Sequence, residues 1–187
     1  MKVIVFLAEG FEEVEALTVV DYLRRMDIQV DMVSISGEIQ VKGAHKIQVK
    51  ADKIFSQLED LESYDGLVIP GGLPGATNLR DHEDLIETVK SLNHKGKLIA
   101  AICAGPIVLD KAGVLSGRNV TCYPGIEDQL EGINYKVEPV VTDGNIITAR
   151  GPYYAVHFAI EIVKYLLGEE SAEELKGNIL LNEGLQV

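Results

Sequence analysis

Residues 98–106 read Leu-Ile-Ala-Ala-Ile-Cys-Ala-Gly-Pro, and the prediction of the fold starts from this stretch. Its first five residues are small or apolar, without polar alternation, which predicts a strand in a sheet that is covered on both faces. Gly105 permits a sharp turn after the strand, and Pro106 suits the first position of a helix, where its missing N–H costs nothing. We therefore predict a buried strand, a tight turn that carries Cys103, and a short helix over residues 107–112.

Cys103 is the first candidate for a chemical role. A side chain on a tight strand-to-helix turn usually points outward, and the turn resembles the nucleophile elbow of hydrolases with Cys in place of Ser. The N-terminus of the following helix is expected to lower the pKa of the thiol below its usual value of about 8.5. The alternative is a structural cysteine, because free Cys is among the most buried residue types. These residues alone leave both interpretations open.

The composition excludes several classes of protein. The chain has 187 residues, 47% of them hydrophobic, and a net charge of −12. This length supports a sizeable core in a single domain, and no apolar run approaches the ~18 residues of a membrane span. The negative charge argues against nucleic acid and anionic membranes as partners. Two cysteines make no disulfide framework and no secretory signal is evident, so we expect a cytoplasmic protein.

The sequence also gives no sign of a metal or a nucleotide cofactor. The four histidines are scattered, and none has ligand spacing with a cluster of Cys, Asp or Glu (His45, His82, His94 and His157). No Gly-x-Gly-x-x-Gly fingerprint is present. We therefore expect no metal site and no cofactor, so any chemistry would come from side chains alone.

The order of elements predicts the architecture. Strands are expected at 2–7, 28–35, 66–69, 98–102, 119–123, 136–141 and 145–149, and a hairpin at 39–49. Helices are expected at 11–26, 84–93, 107–112 and from 151 to 168, with a short helical connection at 53–61 and a last helix after a capping box at 171–174. Strands that alternate with helices imply an open, mostly parallel sheet with helices on both faces, in which ligands bind beyond the carboxyl ends of the strands.

Two further features fall near those strand ends. Glu15 lies on the first predicted helix in an apolar stripe with Phe11, Val19 and Tyr22, so burial should raise its pKa and could keep it protonated. The alternative is a tolerated residue at the edge of the stripe. Gly71 and Gly72 offer unhindered backbone N–H groups suited to an oxyanion, although Pro-Gly-Gly is also a common turn.

Four motifs carry a resemblance to a known family. They are Glu-Glu-Val-Glu at 12–15, Pro-Gly-Gly at 70–72, Ala-Ala-Ile-Cys-Ala-Gly-Pro at 100–106 and Arg-Gly-Pro at 150–152. In this order they closely resemble the ThiJ/PfpI superfamily, and within it the branch of the Parkinson-disease-associated protein deglycase. The resemblance implies one ThiJ/PfpI-type domain over residues 1–187. It also implies a flavodoxin-like three-layer α/β/α sandwich, of the kind found in class I glutamine amidotransferases, and a homodimer.

The resemblance also implies roles for individual residues. Cys103 would be the reactive nucleophile and Glu15 the carboxyl that hydrogen-bonds it, while Gly71, Gly72 and Ala104 would border the thiol with backbone N–H groups. Members of the branch have been linked to glyoxalase III activity on methylglyoxal, to deglycation, to oxidative-stress sensing and to chaperone activity.

The chain departs from the family pattern at three positions. Ala104 stands where the peptidase branch carries His, so a Cys-His proteolytic dyad lacks its base. Tyr123 stands where many deglycase-branch members place a His, and Tyr cannot act as a base near neutral pH. His45 stands roughly where a partner-subunit Arg is often found, and is a candidate pocket residue. Arg150 is a further pocket candidate, although we expect it to pair with an acid. Cys122 is expected to be buried filler.

Three functions from different classes are compatible with these residues. The first is a cofactor-independent cysteine enzyme that acts on small reactive carbonyls, of the glyoxalase III or protein deglycase type. The second is an oxidative-stress thiol sensor or chaperone without turnover, in which Cys103 is oxidised to a sulfinate that Glu15 stabilises. The third is hydrolase or amidotransferase chemistry on the same elbow, which Ala104 disfavours.

Overall fold

A seven-stranded sheet forms the centre of the computed structural model, which describes residues 1–181. Its strands are β1 (Lys2–Leu7), β2 (Gln29–Ser34), β5 (Lys53–Ile54), β6 (Gly66–Ile69), β7 (Leu98–Ile102), β10 (Val140–Asp143) and β11 (Ile146–Ala149). Their order across the sheet is β10-β11-β7-β6-β1-β2-β5, and all neighbours pair in parallel except β10 and β11. Two small separate sheets pair β3 (Gln40–Lys42) with β4 (Gln48–Lys50), and β8 (Asn119–Val120) with β9 (Asn134–Tyr135).

Helices cover both faces of this sheet. On one face lie α1 (Glu13–Arg25), α5 (Ala155–Leu167) and α6 (Glu169–Asn178), and on the other α2 (Gly75–Arg80), α3 (Glu83–His94) and α4 (Pro106–Lys111). Alternate strand residues point to opposite faces, and each set packs against its own group of helices in a separate buried core. The architecture is therefore the predicted flavodoxin-like α/β/α sandwich. None of the helices within residues 1–181 is long and apolar enough to cross a membrane.

The order of the central strands brings the carboxyl ends of β1, β6 and β7 together. The chain passes from β1 to β2 on one side, and β6 lies on the other side of β1 with β7 next to it. A reversal of strand order opens a crevice beyond the carboxyl ends, where ligands bind in such sheets. The start of α1, the turn after β6 and the turn after β7 all lie there.

Several predicted elements differ from the observed ones, each for a local reason. The strand predicted at 119–123 pairs only over β8, because the Thr121 N–H donates to the Thr148 hydroxyl and the Tyr123 N–H to the Cys103 carbonyl. The strand predicted at 136–141 begins only at Val140, since Pro139 has no N–H for a ladder.

The remaining differences concern segments that were predicted as helices or that precede them. The stretch predicted as a helical connection at 53–61 holds the short strand β5 and 3₁₀ turns at Phe55–Gln57 and Leu61–Ser63. A 3₁₀ turn at Pro152–Tyr154 precedes α5, and α2 is an additional helix directly after the glycine-rich turn. The capping box predicted at 171–174 is wrong: α6 begins at Glu169, and its acidic first turn already complements the helix dipole.

Candidate active site

Cys103 lies on a strained turn at the carboxyl end of β7. Its φ is +62°, a left-handed conformation that costs a residue with a side chain about 1–3 kcal/mol. The Cys103 N–H donates to the Ala149 carbonyl at 2.9 Å, and its carbonyl accepts the Tyr123 N–H at 3.0 Å, so neighbouring segments hold the residue in place. The predicted elbow is confirmed, but the positive φ falls on the cysteine itself rather than on Gly105.

Gly105 serves the elbow in a different way. Its backbone is helical, with φ −53° and ψ −34°. A Cβ at this position would lie only 2.6 Å from the Ile69 carbonyl oxygen of the neighbouring strand. The glycine therefore permits the start of α4 to approach β6, which is a packing requirement rather than a requirement of turn conformation.

Glu15 provides the second group of the site, one turn into α1. Its side chain is fully buried, and its Oε2 accepts the Gly71 N–H at 2.7 Å. Within residues 1–181 its Oε1 is buried without a hydrogen-bond partner of good geometry. Burial raises the pKa of Glu15 to about 7. The expected elevation of the Glu15 pKa is therefore confirmed. In the protonated carboxyl, Oε1 can carry the proton and act as a hydrogen-bond donor.

The thiol of Cys103 lies close to this carboxyl. The Gly71 backbone lies between the two side chains, because a Cβ at Gly71 would lie 2.6 Å from the Cys103 Cβ and 2.7 Å from the Glu15 Oε2. Burial, followed by the charge of Glu15 and its hydrogen bond, raises the pKa of the Cys103 thiol. The expected lowering by a helix N-terminus is therefore wrong for a thiol beside an ionised Glu15. The N–H groups of Ala104 and Gly72 act in the opposite direction and lower the thiol pKa.

The expected set of backbone donors needs one correction. Gly71 was predicted to offer its N–H to an oxyanion, but that N–H donates to the Glu15 carboxyl. The backbone N–H groups of Gly72 and Ala104 instead lower the pKa of the Cys103 thiol, and both residues line the cavity at the sulfur. The φ of Gly72 is +83°, and a Cβ there would lie 2.4 Å from the Glu12 nitrogen, so only glycine fits this position.

A cavity of about 500 Å³ opens beside the half-buried thiol. It brings together five of the residues predicted for the site, namely Cys103, Gly72, Ala104, Tyr123 and His45, the last from the loop between β3 and β4. Its lining residues are Glu12, His45, Gly72, Leu73, Cys103, Ala104, Tyr123, Ile126 and Pro152. Tyr123 is half exposed and stands at this cavity in place of the expected family His.

Glu13 is a buried residue of this region that the sequence did not reveal. It is 3% exposed and accepts the backbone N–H groups of His45 and Ile47 at 2.8 and 3.3 Å. Burial raises the pKa of Glu13, but its hydrogen bonds, including one from the His45 ring, outweigh burial and leave the pKa below its ordinary value. No periodic signal marks the residue, because its partners lie about thirty positions away.

His45 is held by two carboxylates of α1. Its Nδ1 lies 3.0 Å from Glu13 Oε2 and 3.5 Å from Glu12 Oε1. The hydrogen bond to Glu13, and then the charges of Glu12 and Glu13, raise the pKa of His45. Sequence spacing did not reveal this group, in which one nitrogen of His45 and one carboxylate oxygen each of Glu12 and Glu13 lie within 4.8 Å of one another. Such exposed groups are common without a metal, and the arrangement carries no metal assignment.

Arg150 and Cys122 lie beside the cavity. The expected pairing of Arg150 with an acid is absent, since no carboxylate of residues 1–181 lies within ion-pair distance of its guanidinium. Cys122 is fully buried, with its Sγ 3.9 Å from Glu127 Oε2. Burial and the Glu127 charge raise the pKa of Cys122 to about 12, which agrees with its interpretation as core filler.

Fold and site together define a class of protein: a flavodoxin-like α/β protein with a cysteine on a strained strand-to-helix turn and a buried glutamate against it. Comparison with protein families leads to the particular family. Residues 1–165 match the DJ-1/PfpI family, and the chain belongs to it.

Relatives in other organisms agree over nearly the whole chain. The Drosophila melanogaster protein dj-1beta is 38% identical over 181 residues, covering 95% of this chain and 96% of the relative. The Danio rerio Parkinson disease protein 7 homolog is 36% identical over 185 residues, covering 97% and 98%. The solved structure of oxidized Toxoplasma gondii DJ-1 superposes with a TM-score of 0.92 at 37% identity, covering 96% of this chain and 97% of that one.

Proposed function

We propose that this protein is a cofactor-independent cysteine enzyme that converts small reactive carbonyls, of the glyoxalase III or deglycase type. One observation carries the proposal: the Cys103 thiol lies beside the buried Glu15 carboxyl, near the backbone N–H groups of Gly72 and Ala104, and borders a cavity. Membership of the DJ-1/PfpI family supports the same direction.

The first step is addition of the sulfur to an aldehyde. With methylglyoxal, a C–S bond forms from Cys103 to the aldehyde carbon, and the carbonyl π electrons move to oxygen. The N–H groups of Gly72 and Ala104, which already act on the sulfur, stabilise the developing alkoxide. The alkoxide takes the proton that Cys103 and Glu15 shared, which gives a hemithioacetal and an ionised Glu15.

The second step moves a proton between neighbouring carbons. The Glu15 carboxylate removes the proton from the former aldehyde carbon, giving an enediolate, and returns that proton to the adjacent carbon, while the hydroxyl proton passes from the first oxygen to the second. A carboxyl with a pKa of about 7 suits both halves of this transfer near neutral pH. The product is a lactoyl thioester, which water hydrolyses to lactate and the free thiol. Tyr123 leaves hydrolysis without the family's His, so we expect slow turnover.

The experiment is lactate formation by the purified protein from methylglyoxal, followed with a chiral assay in the absence of glutathione, metal and nicotinamide. Cys103→Ala should abolish the activity. Glu15→Gln should reduce kcat by about 10²–10⁴-fold, as expected for loss of a general acid–base. Cys122→Ala is the matched control, because that thiol is buried outside the lining of the cavity, and it should retain activity. Equal rates for Cys103→Ala and wild type would exclude the mechanism.

A thiol sensor is the second candidate, and two observations favour it. A structural relative at 37% identity is an oxidized DJ-1, and the raised pKa of Glu15 supplies a protonated carboxyl beside Cys103 that would donate a hydrogen bond to an oxidised sulfur. Two successive reactions of the Cys103 thiolate with peroxide would each transfer one oxygen to sulfur and release water, giving a sulfinate. A mass gain of two oxygens on Cys103, in a protein that makes no lactate, would establish the sensor in place of the enzyme.

A further inference from the structure

A second cavity adjoins the one beside Cys103. Its volume is about 240 Å³, and it shares two wall residues, Tyr123 and Pro152, with the first cavity. Its lining residues are Tyr123, Pro124, Arg150, Gly151, Pro152, Tyr153 and Tyr154. Three tyrosines and two prolines therefore line this cavity together with one cationic residue, Arg150, and the cavity adjoins that of the nucleophile.

The shared wall is built by close packing. A Cβ on Gly151 would lie 3.3 Å from Cδ2 of Tyr123, so the Tyr123 ring lies against the Gly151 backbone. The rings of Tyr153 and Tyr154 meet edge to face, with centroids 5.1 Å apart. Tyr153 is 82% exposed, which is unusual for a large aromatic residue and leaves its ring available to a ligand.

The sheet places the cation of this cavity next to the nucleophile. Ala149 pairs with Ile102 across the parallel strands, and its carbonyl accepts the Cys103 N–H, so Arg150 and Cys103 occupy adjacent strand ends. The Arg150 backbone N–H donates to the Pro139 carbonyl at 3.0 Å, which fixes the start of its side chain.

The charge of Arg150 has no acidic partner in the part of the chain that the structure describes. The other four arginines, Arg24, Arg25, Arg80 and Arg118, each pair with an aspartate. Its charge acts on the neighbouring groups: burial and the charge of Glu127 raise the pKa values of Cys122 and Tyr135, and the charge of Arg150 partly opposes that rise. A guanidinium in an aromatic cleft binds carboxylates through two parallel hydrogen bonds.

We propose that this second cavity is a substrate subsite for a carboxylate. The ligand it fits is a reactive carbonyl compound with an aromatic or aliphatic segment and a terminal carboxylate. Its carbonyl lies at Cys103, its apolar segment crosses Tyr123 and Pro152, and its carboxylate pairs with Arg150. Apolar walls with one well-placed polar group are the usual composition of a small-molecule site. The inference rests on the proposed function for the nature of the reacting carbonyl, and methylglyoxal is too small to occupy both cavities.

The test uses alkylation of Cys103, which requires no turnover. Two phenacyl bromides are compared, one with a para-carboxylate and one with a para-methyl group; in each the thiolate displaces bromide and forms a C–S bond. The protein carries Cys122→Ala so that only one thiol reacts. The quantity measured is the ratio of the two second-order rate constants, carboxylate over methyl, which cancels changes in thiol reactivity that act equally on both reagents.

Arg150→Gln should lower this ratio about tenfold, as expected for loss of a charge-assisted hydrogen bond. Arg150→Lys should give an intermediate ratio, because it keeps the charge and loses the planar fork. Arg80→Gln is the matched control, since it removes an equal charge from a residue that pairs with Asp81 elsewhere, and should leave the ratio unchanged. An unchanged ratio in Arg150→Gln, or an equal fall in Arg80→Gln, would overturn the subsite.

Failure of the proposed function is distinguishable from failure of the subsite. If methylglyoxal is not converted but the ratio falls in Arg150→Gln, the subsite stands and the enzymatic proposal is wrong. If methylglyoxal is converted and the ratio is the same in Arg150→Gln, only the subsite is wrong.

Discussion

At the scale of single residues, Cys103 and Glu15 behave as one titrating unit. Each side chain changes the pKa of the other, so the protons belong to the pair rather than to either group. With both protons bound, the thiol is neutral and unreactive. Loss of the first proton leaves a single proton between the carboxylate and the sulfur, and the reactive form of this state is the one in which Glu15 holds that proton and Cys103 is a thiolate.

This coupling predicts the pH profile of thiol alkylation. The reaction of Cys103 with iodoacetamide should accelerate as pH rises through about 7, because the Glu15 pKa marks the first proton loss of the pair. In Glu15→Gln the step near pH 7 should disappear and leave a single titration of the thiol. Both rates are measured from pH 5 to 10 in a Cys122→Ala background. A step of unchanged midpoint in Glu15→Gln would contradict the coupling.

From the sequence, the burial of a residue could be predicted where the pattern of its own helix or strand determines that burial. The burial of Glu15 follows from the apolar stripe of its helix, although Phe11 precedes the helix, which begins at Glu13. The Gly71 donor and the buried Glu13 could not be predicted, because their partners come from distant parts of the chain. Gly71 and Glu15 are 56 positions apart, and Glu13 and His45 are 32 positions apart.

At the scale of elements, the turn after β7 was predicted in place but not in conformation. A buried apolar strand followed by Gly-Pro marks a turn from sequence, since both signals are local. Which residue takes the positive φ depends on how closely α4 approaches Ile69 of the neighbouring strand, and this is a tertiary constraint. The capping box predicted at 171–174 failed for a local reason. Gly168 ends α5 and is also the N-cap of α6, so α6 begins before the predicted box.

The loop between β3 and β4 is attached to α1 through Glu13, which gives a second prediction. Glu13→Ala removes the acceptor for the N–H groups of His45 and Ile47 and should cost about 1–3 kcal/mol of unfolding free energy. Glu13→Gln keeps an acceptor oxygen and should cost less. Urea unfolding at pH 7 measures both. Because hydrogen bonds lower the pKa of Glu13, the difference from wild type should shrink as pH falls through that pKa and the carboxylate is protonated.

An equal loss of stability in the two Glu13 variants would show that the charge, rather than the acceptor geometry, holds the loop. Hydrogen exchange of the Ile47 amide provides an independent measurement, because it should accelerate in Glu13→Ala more than in Glu13→Gln. If the amide exchanges equally fast in wild type and in both variants, the attachment of the loop to α1 is not maintained by Glu13.

At the scale of the whole molecule, the layered fold was predictable because its signals repeat. Buried strands without polar alternation indicate a sheet covered on both faces, and the alternation of strands with helices indicates parallel order. The pairing of β10 with β11 as an antiparallel edge also follows from the Asp-Gly turn at 143–144. The adjacent placement of Arg150 and Cys103 depends on the order of β11 and β7, which no local pattern specifies.

The last prediction concerns association of two copies of the chain. Val14 on α1 is 53% exposed, and Leu17, one turn further, is only partly buried. An apolar helix face of this kind is a reason for association, and the family resemblance implies a homodimer.

Light scattering at micromolar concentration should give a mass of twice 20.4 kDa, and Val14→Asp should shift the protein toward the monomer by placing a charge in the interface. Val137→Asp, at a residue 70% exposed in the segment between β9 and β10, is the matched control and should leave the mass unchanged. A wild-type mass near 20.4 kDa would exclude the dimer, and dissociation by both variants would show that the interface does not involve α1.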